Sequence, residues 1–511
     1  MEYVVSLLCV AAATLVIAVL LLKLPPALYG YYIQCNAVRA LPGWPTHWLW
    51  GNLHQINLDE ETTKKWTNFI FQNKHKLTRS WLGPFFPMVA IQHCSLVGPV
   101  LKASKDSEVY GLIKPWLGDG LLISGGSKWF RNRRLLTPAF HYDILKGYVG
   151  IYNDCTEVLL DKWSVSPAEG GQSVKLFDSI GLLSLDVIMQ CAFSFQSNCQ
   201  TATTAHPYIR TVQDLVELTA TRFTSPLKRI DILYYLTSEG RQFRDACNKA
   251  HQYSEGVIKE RKEFLGLDSG EKVLKREELL AKTRQKRHLD FLDILLTAED
   301  ETGEGLTDLE IRDEVDTFMF EGHDTTTSGM CWTLYCLAKH PEAQEKVREE
   351  VRSVLQGRDT LDYDDLKELK YTQWAIKEAM RLYPPVFFIF RQSDGNLVLD
   401  GHEIPKGMTV GLSIRQIHRH PDTWDNPDEY DPLRFHPSNC EGRDPYAYIP
   451  FSGGQRNCIG QNFALNEERI VTASIVNRFK LSLVQGHKVE TVPKVVLRSK
   501  NDILVNIESA L

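Results

Sequence analysis

The stretch LTDLEIRDEVDTFMFEGHDTTTSGMCWTLYCLAKHP, residues 306–341, constrains the fold more than any other part of the chain. Thr307 and Glu310 have the spacing of a capping box and Pro341 cannot continue a helix, so the residues between them are predicted to form one helix. At about 1.5 Å per residue, some thirty residues make a rod of roughly 45–50 Å, long enough to cross a whole domain. Its middle is apolar around Phe318 to Phe320 and again from Met330 to Leu337, so other elements must cover it on most sides. A chain of 511 residues, 43% of them hydrophobic, can supply that cover. A second helix ends in YTQWAIKEAMRLYPP, where Pro384 and Pro385 stop it. Beyond it, the alternating runs in NLVLDGHEIPKGMTVGLSI read as small antiparallel strands. The expected fold class is mainly α with a minor antiparallel β region. No repeat or low-complexity tract points elsewhere.

The amino-terminal run YVVSLLCVAAATLVIAVLLL, Tyr3 to Leu22, carries no charge and is long enough to cross a bilayer as a helix. A cleaved signal peptide normally has a shorter apolar core followed by a small-residue cleavage site, so an uncleaved membrane anchor over 1–24 is the preferred reading. Glu2 precedes the run while Lys23 and Arg39 follow it, which puts the body on the cytosolic side. Residues 25–50, with Pro25, Pro26 and the segment LPGWPTHWLWGN beginning at 41, read as a stiff hinge at the membrane surface, and 51–511 as the globular body. The net charge of −6 gives no basic excess for nucleic acid. Eleven cysteines without a CxxC spacing fit a reduced compartment. The dense mixed charges from Gly256 to Arg287 read as a solvated helix and loop.

Three constellations could carry chemistry. FSGGQRNCIG, residues 451–460, sets Cys458 among glycines that permit a tight backbone path, directly before the helical run IGQNFALNEERIVTASIV. A sulfur at a helix N-terminus is favoured as thiolate, and a metal-bound thiolate needs no neighbouring base. In the middle of the central helix, EGHDTTTSG places polar residues where burial is expected. Either the threonines bond to their own helix and Asp324 pairs with a cation, or Gly322 and Thr325 open a gap for a small ligand beside an acid–alcohol relay of Asp324 and Thr325. Glu378 and Arg381 share a helix face, as do Trp129 and Arg133, and neither pair alone identifies a function.

Together these motifs resemble the cytochrome P450 monooxygenases, haem-thiolate enzymes, along nearly the whole chain. FSGGQRNCIG fits their cysteine-loop pattern through Phe451, Gly454, Arg456, Cys458 and Gly460, and KEAMR supplies their Glu-x-x-Arg pair. The resemblance implies that Cys458 is the axial ligand of haem b iron, and that Trp129, Arg133, Arg391 and Arg456 hold the macrocycle, the arginines by its propionates. It also implies that Glu378, Arg381 and Arg434 form a structural network behind the cysteine loop, and that Asp324 and Thr325 deliver protons. Thiolate donation through iron favours O–O cleavage, the step such monooxygenases need. FMFEGHDTTTSG further resembles family 4, the fatty-acid ω-hydroxylases, in which a glutamate at the position of Glu321 commonly forms an ester with a haem methyl. Phe387 and Gln455 stand where that branch often has proline.

The implied activity is ω-hydroxylation of long-chain fatty acids or related lipids in the endoplasmic reticulum membrane, on the cytosolic face. No nucleotide-binding glycine motif is present, so electrons from NADPH must come through a cytochrome P450 reductase, with cytochrome b5 as a possible second donor. The basic cluster Arg131, Arg133 and Arg134 is a candidate docking surface. Two other functions fit the same motifs: a reductase-independent isomerase or dehydratase of lipid hydroperoxides, and a non-catalytic haem-binding protein.

Overall fold

The computed structural model describes residues 22–55, 60–164, 172–202, 206–267, 290–395 and 397–510. The apolar run read as an anchor lies outside them except for Leu22, as does the charge-dense segment beyond residue 267. Five helices and five strands position the site: α1 (Gly126–Leu136), α2 (Leu176–Phe193), α3 (Asp308–Lys339), α4 (Lys370–Leu382) and α5 (Gln461–Arg478), with β1 (Leu77–Trp81), β2 (Pro87–Ile91), β3 (Ser104–Lys105), β4 (Phe388–Gln392) and β5 (Thr409–Ser413).

The expected central helix is α3, 32 residues and therefore about 48 Å long. Thr307 and Glu310 close a reciprocal capping box at its start: the Glu310 amide donates to the Thr307 hydroxyl (3.3 Å) and the Thr307 amide to the Glu310 carboxylate (3.0 Å). From Val315 onward nearly every residue is buried. Two glycines let neighbouring helices come close. A Cβ at Gly322 would sit 2.7 Å from Ile188 Cδ1 of α2, and one at Gly329 would sit 2.0 Å from Glu468 Oε1 of α5. Helix α2 is, among the described residues, the one long and apolar enough to cross a membrane, but 78% of it is buried inside the protein. It is a core helix. Its apolar side chains join those of α3 and α5 in the largest hydrophobic cluster.

The main sheet has the order β1-β2-β5-β4-β3. The antiparallel pairing expected of this region holds, with one parallel pair beside it: β5 also pairs with β2, Met88 opposite Thr409. Parallel partners need a long crossover, and here the helical body supplies it. The remaining pairs are antiparallel, including Ile389 opposite Leu412 and Lys105 opposite Arg391. A separate hairpin, Thr491–Pro493 with Leu497–Ser499, is anchored on α3 where the Ser328 hydroxyl donates to the Leu497 carbonyl (2.6 Å).

The hinge reading of 25–50 is also corrected. Residues 22–39 are helical through Pro25 and Pro26, and Cys35, Val38 and Leu41 are buried, the last two within the cluster that covers the sheet. A proline costs a helix one hydrogen bond and bends it without having to end it. Packing holds this segment against the body, and only the residues after 39 leave the helix.

Candidate active site

The cysteine loop is fastened at both ends. Phe451 packs against Met380 of α4 and Leu465 of α5, and the Cys458 amide donates to the Phe451 carbonyl (3.0 Å). Gly454 adopts φ +67°, where a side chain would be strained. A Cβ at Gly453 would lie 2.9 Å from Leu101 Cδ1, so a larger residue there would make that leucine side chain move aside. Gly460 ends the loop as the residue before α5, and its amide donates to the Cys458 sulfur.

That sulfur is open to a cavity of about 570 Å³. The surrounding protein pushes the thiol up to about 12, chiefly by burial and then by the carboxyl of Glu321, while the Gly460 amide, Arg133 and Lys105 pull it back. Position at a helix N-terminus therefore does not make a thiolate by itself, because desolvation outweighs one amide and the helix dipole. A bound metal ion is the stronger influence, since it deprotonates a coordinating thiol outright.

Cations gather around the sulfur. Helix α1 is held to α3 by Glu314, which accepts from the Asn132 side chain and the Leu121 amide (2.9 Å each). This places Trp129 and Arg133 on the cavity wall. The Arg456 guanidinium lies 4.0 Å from the Trp129 ring centroid and donates to the Ser124 carbonyl (2.8 Å). Arg133 donates to the carbonyl and side-chain oxygens of Asn457 (2.9 Å each). Arg391 is 1% exposed, donates to the Phe390 carbonyl (3.0 Å) and leaves its Nε without a partner. Lys105, paired with Arg391 across β3 and β4, completes the group. Sequence reading missed Lys105 and the neighbouring Tyr110, because a strand of two residues has no periodicity.

Helix α3 lines the opposite wall with Glu321, Gly322, Thr325 and Thr326. Of the two alternatives for this stretch, the one found is that the threonines bond to their own helix. Thr325, Thr326 and Thr327 donate back to the carbonyls of Glu321, Gly322 and His323 (2.5, 2.6 and 2.7 Å), which satisfies the hydroxyls and leaves the ladder unbroken. Asp324 is fully buried, turned from the cavity and ion-paired with Arg498. Arg498 is 174 positions away in sequence, so nothing local announced it. Burial pushes Glu321 up and Lys105 down, and each one's charge pulls the other back. His323, two residues on, is buried and held neutral by desolvation, with its Nδ1 unpartnered.

Behind the loop, Arg381 forms a two-pronged pair with Glu378 (2.7 and 2.8 Å), both fully buried. It also donates to the carbonyls of His418, Pro427 and Glu429. Arg434 reaches Glu378 at 3.2 Å, and the Asp431 amide donates to the same carboxylate (3.0 Å). A pair that would matter little on a surface thus ties α4 to the segment leading into the cysteine loop.

The basic cluster considered for docking is largely committed within the protein. Arg131 binds Asp300 (2.7 Å) and the Gly305 carbonyl (2.7 Å), Arg134 pairs with Glu301, and Arg133 serves Asn457. Elsewhere, His93, His420 and Asp422 bring ligating atoms within 4.8 Å of one another. The Nδ1 atoms of the two histidines already accept amide hydrogen bonds from Ser95 (3.2 Å) and Asp422 (3.3 Å), which puts the proton on the nitrogens a metal would need.

A sulfur presented to a cavity beside four cations, one of them a buried arginine with an unpartnered Nε, fits a planar metal macrocycle that carries carboxylates. Cys458 would ligate its iron, and Arg133, Arg391, Arg456 and Lys105 would meet its negative groups. The class is a haem-thiolate protein, and comparison with known proteins gives the same class. A model of the family described as cytochrome P450 matches residues 41–506, and the chain belongs to that family. Within it, the similar proteins are of family 4. Cytochrome P450 4F6 of Rattus norvegicus is 42% identical over 490 residues, 94% of this chain and 89% of that protein. Ultra-long-chain fatty acid omega-hydroxylase of Homo sapiens is 42% identical over 498 residues, 96% and 92%. Leukotriene-B4 omega-hydroxylase 3 of Mus musculus is 41% identical over 493 residues, 94% and 92%.

Proposed function

We propose that this monooxygenase hydroxylates the terminal carbon of long-chain fatty acids or related lipids, drawing electrons from NADPH through a membrane-bound reductase, with cytochrome b5 able to assist. The observation that carries the reading is Glu321, a half-buried, desolvated carboxyl on the cavity wall within the electrostatic reach of Cys458. The names of the relatives, fatty-acid and leukotriene ω-hydroxylases, support the substrate class. When bound, the haem would supply activation of dioxygen and oxygen insertion into a C–H bond. The chain's own residues do the rest. Cys458 binds the iron, and Phe318, Phe320, Ile188 and Phe388 keep the cavity apolar. Internal CH₂ groups are easier to oxidise than a terminal CH₃, so each tenfold preference for the end requires about 1.4 kcal/mol of barrier difference. A rigid wall that admits only the chain end provides it.

We read Glu321 as esterified to a haem methyl, which would fix the macrocycle and narrow the approach. After turnover, acid denaturation then leaves haem attached to the native chain, whereas Glu321→Gln releases it to the organic phase. Freely extracted haem from both proteins would remove the ester and spare the thiolate.

Asp324 and Thr325 are read as the proton path, with Asp324 leaving Arg498 to reach the cavity. Asp324→Asn is expected to slow product formation by roughly 10²-fold, with KM little changed and a larger solvent isotope effect. An unaltered rate would assign Asp324 to structure alone.

Entry from the bilayer is supported by exposed apolar residues on one side of the molecule. Leu227, Ile230, Ile232 and Leu236 follow the helix whose Thr219, Ala220 and Phe223 line the cavity. Tyr32 and Phe85 are exposed beside them: the Tyr31 hydroxyl donates to the Pro84 carbonyl (2.6 Å), and a Cβ at Gly83 would touch Pro226 at 3.0 Å. This side would rest on the endoplasmic reticulum membrane, with the anchor at 1–24 and the rest of the chain in the cytosol. Oxygen-dependent consumption of NADPH with reductase and a fatty acid tests the reading. Product formed from a lipid hydroperoxide with NADPH irrelevant would favour the isomerase instead.

A further inference from the structure

Among the described residues, six cations line the cavity that Cys458 faces: Lys105, Arg133, Arg391, Arg415, Arg456 and Lys494. Lys105, Arg133, Arg391 and Arg456 act on one another or on Cys458 and belong to the cysteine end. Lys494 is ion-paired with Glu217. Arg415 is left, and it lies elsewhere. It follows β5, where its amide donates to the Phe387 carbonyl (3.3 Å). Phe387 is four residues along the β4 segment from Arg391, or roughly 13 Å at strand spacing.

The surroundings of Arg415 lack a counter-ion. Its guanidinium makes one long hydrogen bond, to the Thr491 hydroxyl (3.4 Å). Among the described residues no carboxylate comes within ion-pair distance of it. Asp428 is taken by Arg419 (3.6 Å), and Glu60 holds Lys64 (2.8 Å). Burial and then the like charge of Arg419 press against the charged state of Arg415 and bring it down to about 9, with Tyr383, Glu60 and Asp428 pulling it back only in part. The cavity wall on this side includes the apolar Trp66, Val386, Phe387, Ile414 and Pro493, with polar groups from Thr62, Thr63 and Gln416, and Thr491 is hydrogen-bonded to Arg415. A charged group that is desolvated, repelled by its neighbour and unpaired in an apolar passage is stabilised most by an incoming anion.

We propose that Arg415 is the subsite for the lipid's carboxylate. The planar guanidinium offers two parallel N–H donors to a carboxylate, a match that an ester or alcohol head group cannot reproduce with charge. With the acid held there, the hydrocarbon chain extends along the apolar wall and presents its far end to the α3 side of the cavity, across from Cys458. Arg415 is then a positioning residue: it selects acids over neutral lipids and sets which carbon arrives. The inference rests on the proposed function and makes it specific.

The test uses the full-length, haem-loaded protein with reductase, comparing palmitate with methyl palmitate for the native chain, Arg415→Met and Arg415→Lys. The carbon monoxide difference band first establishes that each variant is folded and loaded. In Arg415→Met, the acid-to-ester ratio of kcat/KM is expected to fall about tenfold or more, through KM for the acid. Affinity for palmitate measured by calorimetry should fall by the same factor, and the hydroxyl should spread to in-chain positions. Arg415→Lys, which keeps the charge and loses the fork, should retain an intermediate ratio. An unchanged ratio in Arg415→Met, with the native chain still hydroxylating palmitate, overturns the role of Arg415 alone. A native chain that neither binds nor hydroxylates palmitate overturns the fatty-acid reading and this subsite with it.

Discussion

Cys458→Ser is expected to abolish the strongly red-shifted Soret band of the reduced carbon monoxide adduct and to bring turnover below detection. The argument turns on what the loop can and cannot do by itself. Burial holds the Cys458 thiol up to about 12, so the loop offers a protonated sulfur to the cavity and no independent thiolate. Electron donation to iron requires that sulfur to lose its proton on ligation, and a serine hydroxyl in the same place is a far poorer donor. The other described cysteines serve as controls. Cys191 and Cys331 are fully buried in packing, where burial raises their thiols well above the ordinary range. Replacing either with alanine should cost stability on the scale of a small cavity and leave the band in place. A red-shifted band that survives in Cys458→Ser would contradict the assignment of the ligand.

Glu378→Ala should be the most destabilising single change among the residues discussed, by about 3–5 kcal/mol. Arg381 is fully buried, and removing Glu378 takes away both of its charge-assisted bonds and an acceptor for the Asp431 amide. Three carbonyls still accept from Arg381, which places the effect toward the lower end of that range. Arg434→Ala is the comparison. Its side chain is 13% exposed, it meets Glu378 at 3.2 Å, and its removal leaves the buried pair intact, so a loss of about 1 kcal/mol is expected. Thermal unfolding of the haem-loaded proteins, with the yield of the carbon monoxide band as a second readout, measures both. Equal losses in the two variants would mean that the network is not centred on the Glu378–Arg381 pair.

The parts legible in the sequence are those governed by local rules. The capping box at Thr307, the stop before Pro384 and the helix after Cys458 depend on neighbours in the chain, and each is found where the residues predict it. The cysteine loop was legible because a tight turn needs glycine at φ +67° whatever surrounds it. What was not legible depends on distant partners. Asp324 meets Arg498, Lys105 pairs with Arg391 from a two-residue strand and feels the charge of Glu321, and Gly329 has Glu468 lying against it. The parallel pairing of β2 with β5 likewise needs the whole helical body between them. Two readings went astray where packing overrode propensity. The prolines at 25 and 26 did not end a helix held by buried Cys35 and Val38, and Arg131 and Arg134 found acidic partners at Asp300 and Glu301. Thr325 shows a third limit, since its hydroxyl had two chemically reasonable partners and took its own helix's carbonyl.

The position of the hydroxyl group tests the central claim most directly. The haem-loaded protein, given reductase, NADPH, labelled dioxygen and a panel of long-chain acids, should yield the terminal alcohol with one oxygen atom derived from dioxygen, as read by mass spectrometry. Hydroxylation confined to in-chain carbons, or product whose oxygen comes only from an added hydroperoxide, would contradict it.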